Sequence, residues 1–184
     1  MATREEAMAL LREYTHSEAL IKHALAVEAA MRAYARHFGA DAEQWGVVGL
    51  LHDFDYERWP MAEDHPFRGA EILRQRAYPE EIVRAVLSHA DYSEVPRETL
   101  LEKTLFAVDE LAGFIIAVAL VRPSRRLAEV DVPAVRKKMK QKAFAANVNR
   151  DDITRGAEAL GIPLDEHLGR VIAALQAIAP ELGL

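Results

Sequence analysis

The chain has 184 residues, of which 51% are hydrophobic and 28% charged, a composition typical of a globular domain with a sizeable core and unlike that of disordered or fibrous proteins. The formal net charge of -6 argues against a general nucleic-acid-binding protein, so we do not expect nucleic acid as a partner. Because cysteine is absent, disulfides, thiolate zinc sites and cysteine nucleophiles are excluded.

No segment of the chain has the features of a targeting or membrane-spanning sequence. The first residues, Met1 to Glu13, carry several charges and lack the apolar run of a signal peptide. The longest apolar stretch, Leu111 to Val121, is far shorter than the ~20 residues that span a bilayer. We therefore expect a cytoplasmic protein that does not enter a membrane.

Helical periodicity dominates the sequence and predicts an all-α fold. After a short first helix, Thr15-His16-Ser17-Glu18 resembles a capping box that opens a second helix running to about His37. Gly39 suits a left-handed C-terminal cap, and Asp41 suits the next N-cap. Further helices are predicted at about 41–52, 65–76, 79–89 and 97–121, with a loop over 53–64.

The rest of the chain is expected to form a C-terminal helical extension. Arg122-Pro123-Ser124 ends the long helix, and a basic segment follows around Val132–Ala146. Gly161-Ile162-Pro163 separates this segment from a last amphipathic helix. We expect one domain over residues 1–184, with a core of about 15–121 and an extension of about 124–184.

Several histidines and aspartates lie where the helical pattern requires apolar residues. His23, His52, His89 and Asp109 occupy such positions, and Asp53 directly follows His52. An ionised carboxylate buried there would cost several kcal/mol unless a cation or hydrogen bonds met it. Each residue alone has an ordinary interpretation as a hydrogen-bonded core residue. Together they favour a divalent metal site, because imidazole and carboxylate are typical ligands and one ion satisfies several of them.

The order His23, His52-Asp53, Asp109 resembles that of the HD-domain metal-dependent phosphohydrolases, an all-helical superfamily named for its His-Asp doublet. The apolar approach Val47–Leu51 is typical of that superfamily, and the resemblance covers about Leu20 to Ile116.

Two further motifs resemble the HDIG branch of the superfamily. The stretch His65–Leu73 is similar to its HPxxGAxIL motif, and His89 stands where that branch has a further ligand histidine. The chain departs from the branch in having Phe54-Asp55 after the doublet in place of Ile-Gly.

The resemblance implies a helical bundle with a metal site between core helices. His23, His52, Asp53 and Asp109 would hold a first ion; His65 and His89, with Asp53 bridging, would hold a second. The ligand types do not distinguish Fe, Mn, Zn, Ni and Mg.

The implied reaction is hydrolysis of a small phosphoester, with a nucleotide as the expected substrate, by attack of metal-bound water. Asp53 and Asp55 are the expected catalytic residues, with Glu57 and Glu71 as other candidates to accept the proton. The absence of a Gly-Tyr-Pro signature argues against a cyclic-di-nucleotide phosphodiesterase. Symmetrical diadenosine tetraphosphate hydrolases have a similar layout, but they carry a Thr-Gly-type continuation where this chain has Ala90-Asp91-Tyr92.

The basic segment is the candidate source of cations that bind the substrate phosphates. Arg136 to Lys142 holds five basic residues in seven positions, and helical spacing puts Lys138 and Lys142 on one face. We expect Lys137, Lys138 and Lys142, together with Lys103, to bind substrate phosphate.

Two other functions remain open at this level: a di-iron oxygenase of HD type, and a non-catalytic module that binds metal or nucleotide. A homodimer is compatible with the number of apolar helices, although no stripe identifies its interface. The remaining histidines are predicted to lie at the surface: His16, His37 and His167.

Overall fold

The computed structural model describes residues 3–184, and this part of the chain contains ten α-helices and no β-strand. The predicted all-α class is therefore confirmed. Between residues 3 and 184, no helix combines the length and the apolar character that crossing a membrane requires. The helices are α1 (Arg4–Tyr14), α2 (Glu18–Phe38), α3 (Ala42–Leu51), α4 (Phe67–Gln75), α5 (Glu80–Ser88), α6 (Leu100–Leu120), α7 (Val132–Met139), α8 (Arg150–Ala159), α9 (Leu164–Ala177) and α10 (Ala179–Leu182).

The two longest helices, α2 and α6, pack against each other at the centre of the molecule. Val27, Met31 and Tyr34 of α2 are fully buried at helical spacing. Helix α6 is buried along almost its whole length, with Leu111 and Ile115 completely enclosed. Burial of this apolar surface is the main stabilising contribution. Polar groups on the two helices are consequently fixed in a rigid frame.

Helix α3 lies unusually close to α2. A Cβ atom added at Gly49 would lie 2.8 Å from both the Cα and the N atoms of Glu28, so only glycine permits this approach. Glu28 is itself buried and is neutralised by ion pairs with Arg4 and Arg32. The close packing brings the C-terminal end of α3 to the face of α2 that carries His23.

The caps at Gly39 and Asp41 form as predicted. Gly39 has a φ of 68° in the left-handed region, and the Asp41 side chain accepts the backbone N–H groups of Glu43 and Gln44. The capping box predicted at Thr15–Glu18 is wrong.

Thr15 is buried, and its hydroxyl donates to the carbonyl of Phe54 at 2.9 Å. The backbone N–H groups of His16 and Ser17 donate instead to the carboxylate of Glu57, at 2.8 and 2.9 Å. A residue from a distant loop thus satisfies the orphan donors at the start of α2. These contacts also fix the loop that follows α3.

The C-terminal segment packs on the central helices. Gly156 of α8 meets Ala107 of α6 so closely that an added Cβ would lie 2.5 Å from the Ala107 Cα atom. The sequence pattern did not predict α8. Helix α7 ends at Met139, so the expectation that Lys138 and Lys142 share a helix face is wrong.

The prediction that His167 lies at the surface is also wrong. Its ring is fully buried, Nε2–H donates to the Ala107 carbonyl at 2.9 Å, and Nδ1 accepts from the Tyr34 hydroxyl at 2.5 Å. The second bond requires the neutral ring, because Nδ1 accepts a hydrogen bond only when it carries no proton. Burial is the main reason that the pKa of His167 falls from 6.5 to about 4.

We expect His167 to make the folded protein sensitive to acid. Between pH 6.5 and 4 the unfolded chain binds the proton and the folded chain does not, so the free energy of unfolding decreases as the pH falls. The shift corresponds to roughly 3 kcal/mol. The variant His167→Gln can keep both hydrogen bonds without titrating. Its stability relative to the parent should rise by roughly that amount between pH 7 and pH 4.

Urea unfolding of the chelator-treated proteins at several pH values measures this difference. The exposed histidine variant His37→Gln is the control and should keep the slope of the parent. Parallel curves for the parent and His167→Gln would contradict the assignment.

Candidate metal centre

Six side chains from five different parts of the fold lie close together, and all but the fully buried His52 line one cavity. Each residue was predicted as a ligand from the sequence, and the structure brings them together in two groups of three. The first group is His23, His52 and Asp109, and the second is Asp53, His65 and His89.

The first group joins α2, the end of α3 and α6. Nε2 of His23 lies 3.0 Å from Oδ1 of Asp109 and 3.2 Å from Nε2 of His52. His52 Nε2 lies 3.4 Å from the same Asp109 oxygen. Ligand atoms held at about 2.0–2.2 Å from one ion, with angles between about 90° and 109°, lie about 3.0–3.5 Å apart. The three atoms therefore have the spacing of ligands to one cation.

The second group has the same spacing. Oδ1 of Asp53 lies 3.2 Å from Nε2 of His65 and 3.2 Å from Nε2 of His89. The two imidazole nitrogens are 3.3 Å apart. His65 immediately precedes the N-terminal end of α4, and His89 caps the C-terminal end of α5.

Asp53 connects the two groups through its two oxygens. Its Oδ1 atom faces His65 and His89, whereas its Oδ2 atom lies 3.4 Å from Nε2 of His52. A carboxylate with one oxygen directed to each of two ligand sets has the arrangement of a bridging ligand in a two-metal site.

The backbone decides which nitrogen of two ligand histidines is free. Nδ1 of His52 lies 2.8 Å from the Gly49 carbonyl, and Nδ1 of His89 lies 2.5 Å from the Val86 carbonyl. A carbonyl only accepts, so the hydrogen is on Nδ1, and in the neutral ring Nε2 keeps its lone pair. Both histidines follow the last residue of a helix, where carbonyls lack an intrahelical partner. The helix ends thus orient Nε2 towards the cavity.

His65 has a different partner. Its Nδ1 atom lies 2.8 Å from Oδ1 of Asp55, whose Oδ2 accepts the backbone N–H of Gly69 at 2.8 Å. A Cβ added at Gly69 would lie 2.9 Å from the Asp55 Cγ, so glycine permits this contact. Asp55 is fully buried and does not line the cavity. This position does not fit the predicted role as a proton acceptor; it fits a residue that orients His65.

We expect the variant Asp55→Asn to weaken the second ion selectively. A carboxylate that accepts from a ligand histidine increases its basicity, and loss of such a partner typically lowers metal affinity by about 10- to 100-fold. Titration of the metal-free protein with Zn²⁺ in competition with a chromogenic chelator measures the two affinities. Only the affinity of the ion beside His65 should decrease by that factor.

The matched control is Glu71→Gln, because Glu71 is an exposed carboxylate on α4 paired with Arg68. Equal weakening of both ions in Asp55→Asn, or no weakening, would contradict the positioning role.

The charges of the site depend on one another. Burial alone would raise the pKa of Asp53 and Asp109, but the neighbouring histidines outweigh burial and hold both values well below the usual range. Burial would lower the pKa of His52, yet the same two carboxylates raise it well above 6.5. The pKa of His65 rises to about 9 because Asp53 and Asp55 outweigh its burial. A bound cation would take the place of these protons.

The other predicted proton acceptors do not reach the cavity. Glu57 caps the start of α2, and Glu71 lies on the exposed side of α4 beside Arg68. Neither of these two glutamates is among the described residues that line the cavity.

The four predicted phosphate-binding lysines also lie elsewhere. Lys103, Lys137, Lys138 and Lys142 are not among the residues that line the metal cavity. Lys137 and Lys138 border a separate surface depression next to Val121, and the Lys138 amino group lies 4.6 Å from the centre of the Phe144 ring. The expected direct contact with a phosphate at the metal site therefore has no support in the structure.

The cavity has a volume of about 550 Å³, within the range of small-molecule sites. Part of its wall was not predicted, because Val148, Asn149 and Asp152 come from the C-terminal segment. Glu110, one residue after Asp109, was also missed. Burial, followed by the charge of Asp109, raises the pKa of Glu110 to about 7. The lining residues are Leu20, His23, Asp53, Tyr56, His65, His89, Ala90, Asp91, Tyr92, Phe106, Asp109, Glu110, Gly113, Val148, Asn149 and Asp152.

A family model described as "HD domain" matches residues 20–113, slightly more than half of the chain, and this range includes all six ligand candidates. No solved structure matches the chain.

Proposed function

Since the chain belongs to the HD-domain family, a superfamily of metal-dependent hydrolases, we propose that it is a phosphohydrolase that uses two divalent ions to cleave a small phosphoester. The observation that carries this proposal is the position of Asp53, with one oxygen at each of two groups of ligand atoms. His23, His52 and Asp109 would hold one ion and Asp53, His65 and His89 the other, and the ions would supply activation of water and neutralisation of charge on the phosphoryl oxygens.

The residues of this chain supply three things to the reaction. His52, His65 and His89 present Nε2 lone pairs in fixed directions, because backbone carbonyls or Asp55 hold their Nδ1–H groups. Asp53 and Asp109 supply the negative charge that retains divalent cations. The cavity offers space for a small substrate, and Tyr56 and Tyr92, which are both exposed, form part of its lining.

The absence of lysine and arginine from the cavity lining supports a metal-based mechanism. A phosphate group has to be met by positive charge, and among the described lining residues only the histidines titrate to a cation. The ions would therefore be the principal partners of the phosphoryl oxygens. A small phosphorylated compound, with a nucleotide as the first candidate, is the proposed substrate.

The proposal is tested by removing metal with a chelator, reloading with Fe²⁺, Mn²⁺, Zn²⁺, Ni²⁺ or Mg²⁺, and measuring phosphate release from p-nitrophenyl phosphate. Release that requires a divalent ion, and that persists in the exposed-site control His37→Ala, is the expected result. Two tightly held ions without phosphate release from any phosphoester would overturn the proposal in favour of a binding module. Oxygen uptake by the iron-loaded protein without phosphate release would indicate an oxygenase.

A further inference from the structure

The lining of the cavity is acidic. Besides the ligand carboxylates, it contains Asp91, Glu110 and Asp152, together with Asn149. No lysine or arginine lines the cavity within residues 3–184. The four residues come from the segment after α5, from α6 and from the C-terminal segment.

Two of the three additional carboxylates are already neutralised. Asp91 pairs with Arg97 and Arg155, and Asp152 pairs with Arg155 at 2.8 Å. The guanidinium of Arg97 is further fixed 3.7 Å above the ring of Phe106. Arg97 and Arg155 are therefore already engaged by the carboxylates of Asp91 and Asp152.

Glu110 differs from these neighbours. Its carboxylate accepts the backbone N–H of Asn149 at 3.2 Å, and it forms no ion pair with a described residue. The side chain is partly buried beside the metal ligand Asp109. Glu110 lines the cavity, and its carboxylate has further lone pairs with which to accept a hydrogen bond from a ligand.

The charges set a limit on the phosphate groups that the site can hold. Two divalent ions would bring four positive charges, of which Asp53 and Asp109 neutralise two. The remaining two match the charge of one phosphate dianion at the ions, so Glu110 adds negative charge that no ion is left to neutralise. Each further phosphate would add negative charge in a cavity that offers no other cation and that already contains Glu110.

We propose that Glu110 makes this site selective for phosphomonoesters of hydroxyl-bearing compounds, such as ribose phosphates, over compounds that carry a chain of phosphates. The carboxylate of Glu110 accepts a hydroxyl of the alcohol part, while its charge repels additional phosphates. This inference rests on the proposed function for the chemistry, but the selectivity is also measurable as binding.

The experiment compares a ribonucleoside 5′-monophosphate, the corresponding 5′-triphosphate and p-nitrophenyl phosphate, which lacks a hydroxyl group. Values of kcat/KM and, by calorimetry on the metal-loaded protein, Kd are measured for the parent, Glu110→Gln and Glu110→Lys. Glu158→Gln, an exposed carboxylate change on α8 outside the cavity, is the control.

We expect the parent to bind and use the monophosphate at least about tenfold better than the triphosphate, because both carry the ribose hydroxyl groups but only the triphosphate adds phosphates to a cavity with no lysine or arginine among its described lining residues. Glu110→Gln should lower kcat/KM for the monophosphate about tenfold relative to p-nitrophenyl phosphate. Glu110→Lys should reverse the preference towards the triphosphate. The control should keep every ratio of the parent.

The outcomes separate the two proposals. If no substrate is hydrolysed but the monophosphate binds more tightly in a Glu110-dependent way, the hydrolase function fails and the selectivity stands. Equal binding of monophosphate and triphosphate by the parent, or ratios unchanged in Glu110→Lys, would overturn the role of Glu110.

Discussion

Replacing Asp53 by alanine is expected to remove both metal ions and to lower metal-dependent phosphate release by at least about 10³-fold. Asp53 is the one side chain with an oxygen at both groups of ligand atoms, 3.2 Å from His65 and His89 and 3.4 Å from His52. Without Asp53, the first group of ligand residues keeps one carboxylate, that of Asp109, and the second group keeps none. Metal ions in such sites contribute several kcal/mol of transition-state stabilisation, and each 1.36 kcal/mol corresponds to about tenfold in rate.

The measurement is elemental analysis of protein purified without chelator, combined with the phosphate-release assay. Asp53→Asn keeps the shape of the side chain but removes its charge and should lose most of the metal. Glu63→Ala, in the exposed part of the following loop, is the control and should retain both ions. Two ions in Asp53→Ala would contradict the bridging role, provided that its circular dichroism spectrum matches that of the parent.

The variants His65→Ala and His89→Ala are each expected to lower the metal content from two ions per chain to one. These histidines belong to the second group only, whereas His23, His52 and Asp109 remain intact around the first ion. The rate of phosphate release should fall by at least about 100-fold, because one of two ions that share the transition-state charge is lost.

Elemental analysis of the parent and both variants decides this prediction, and the surface variant His16→Ala serves as the control. One ion in the parent, unaffected by either substitution, would reduce the centre to a mononuclear site formed by His23, His52, Asp53 and Asp109. Absence of tightly held metal in all samples, even after reloading, would contradict the metal centre itself.

The candidate ligand residues could be predicted from the sequence because of where they lie on helices. His23 and Asp109 interrupt apolar stripes, and an interruption of such a stripe is visible in a linear pattern. His52 and His89 end helices, where a backbone carbonyl three residues earlier orients the ring. Their identities and spacing also carry the family resemblance. The structure places the six candidates in two groups of three, His23, His52 and Asp109 in one and Asp53, His65 and His89 in the other.

Features that depend on packing between residues far apart in the sequence could not be predicted from local patterns. Thr15 and Glu18 have the spacing of a capping box, yet Glu57 from another loop caps α2. His167 lies on a helix with a mixed face, but packing of α9 against α2 buries it beside Tyr34. In both cases the partner is many residues away, and its approach is decided by the arrangement of helices.

The sequence by itself determined the all-α class, the family and the six candidate ligands, because these depend on local periodicity and on residue identity at fixed spacing. Only the tertiary structure decided what surrounds them. It placed Asp55 behind His65, kept the predicted lysines away from the cavity and brought Glu110 and Asp152 into its wall. Asp152 reaches the cavity wall on α8, which packs on α6 through Gly156, a long-range contact that no local pattern encodes.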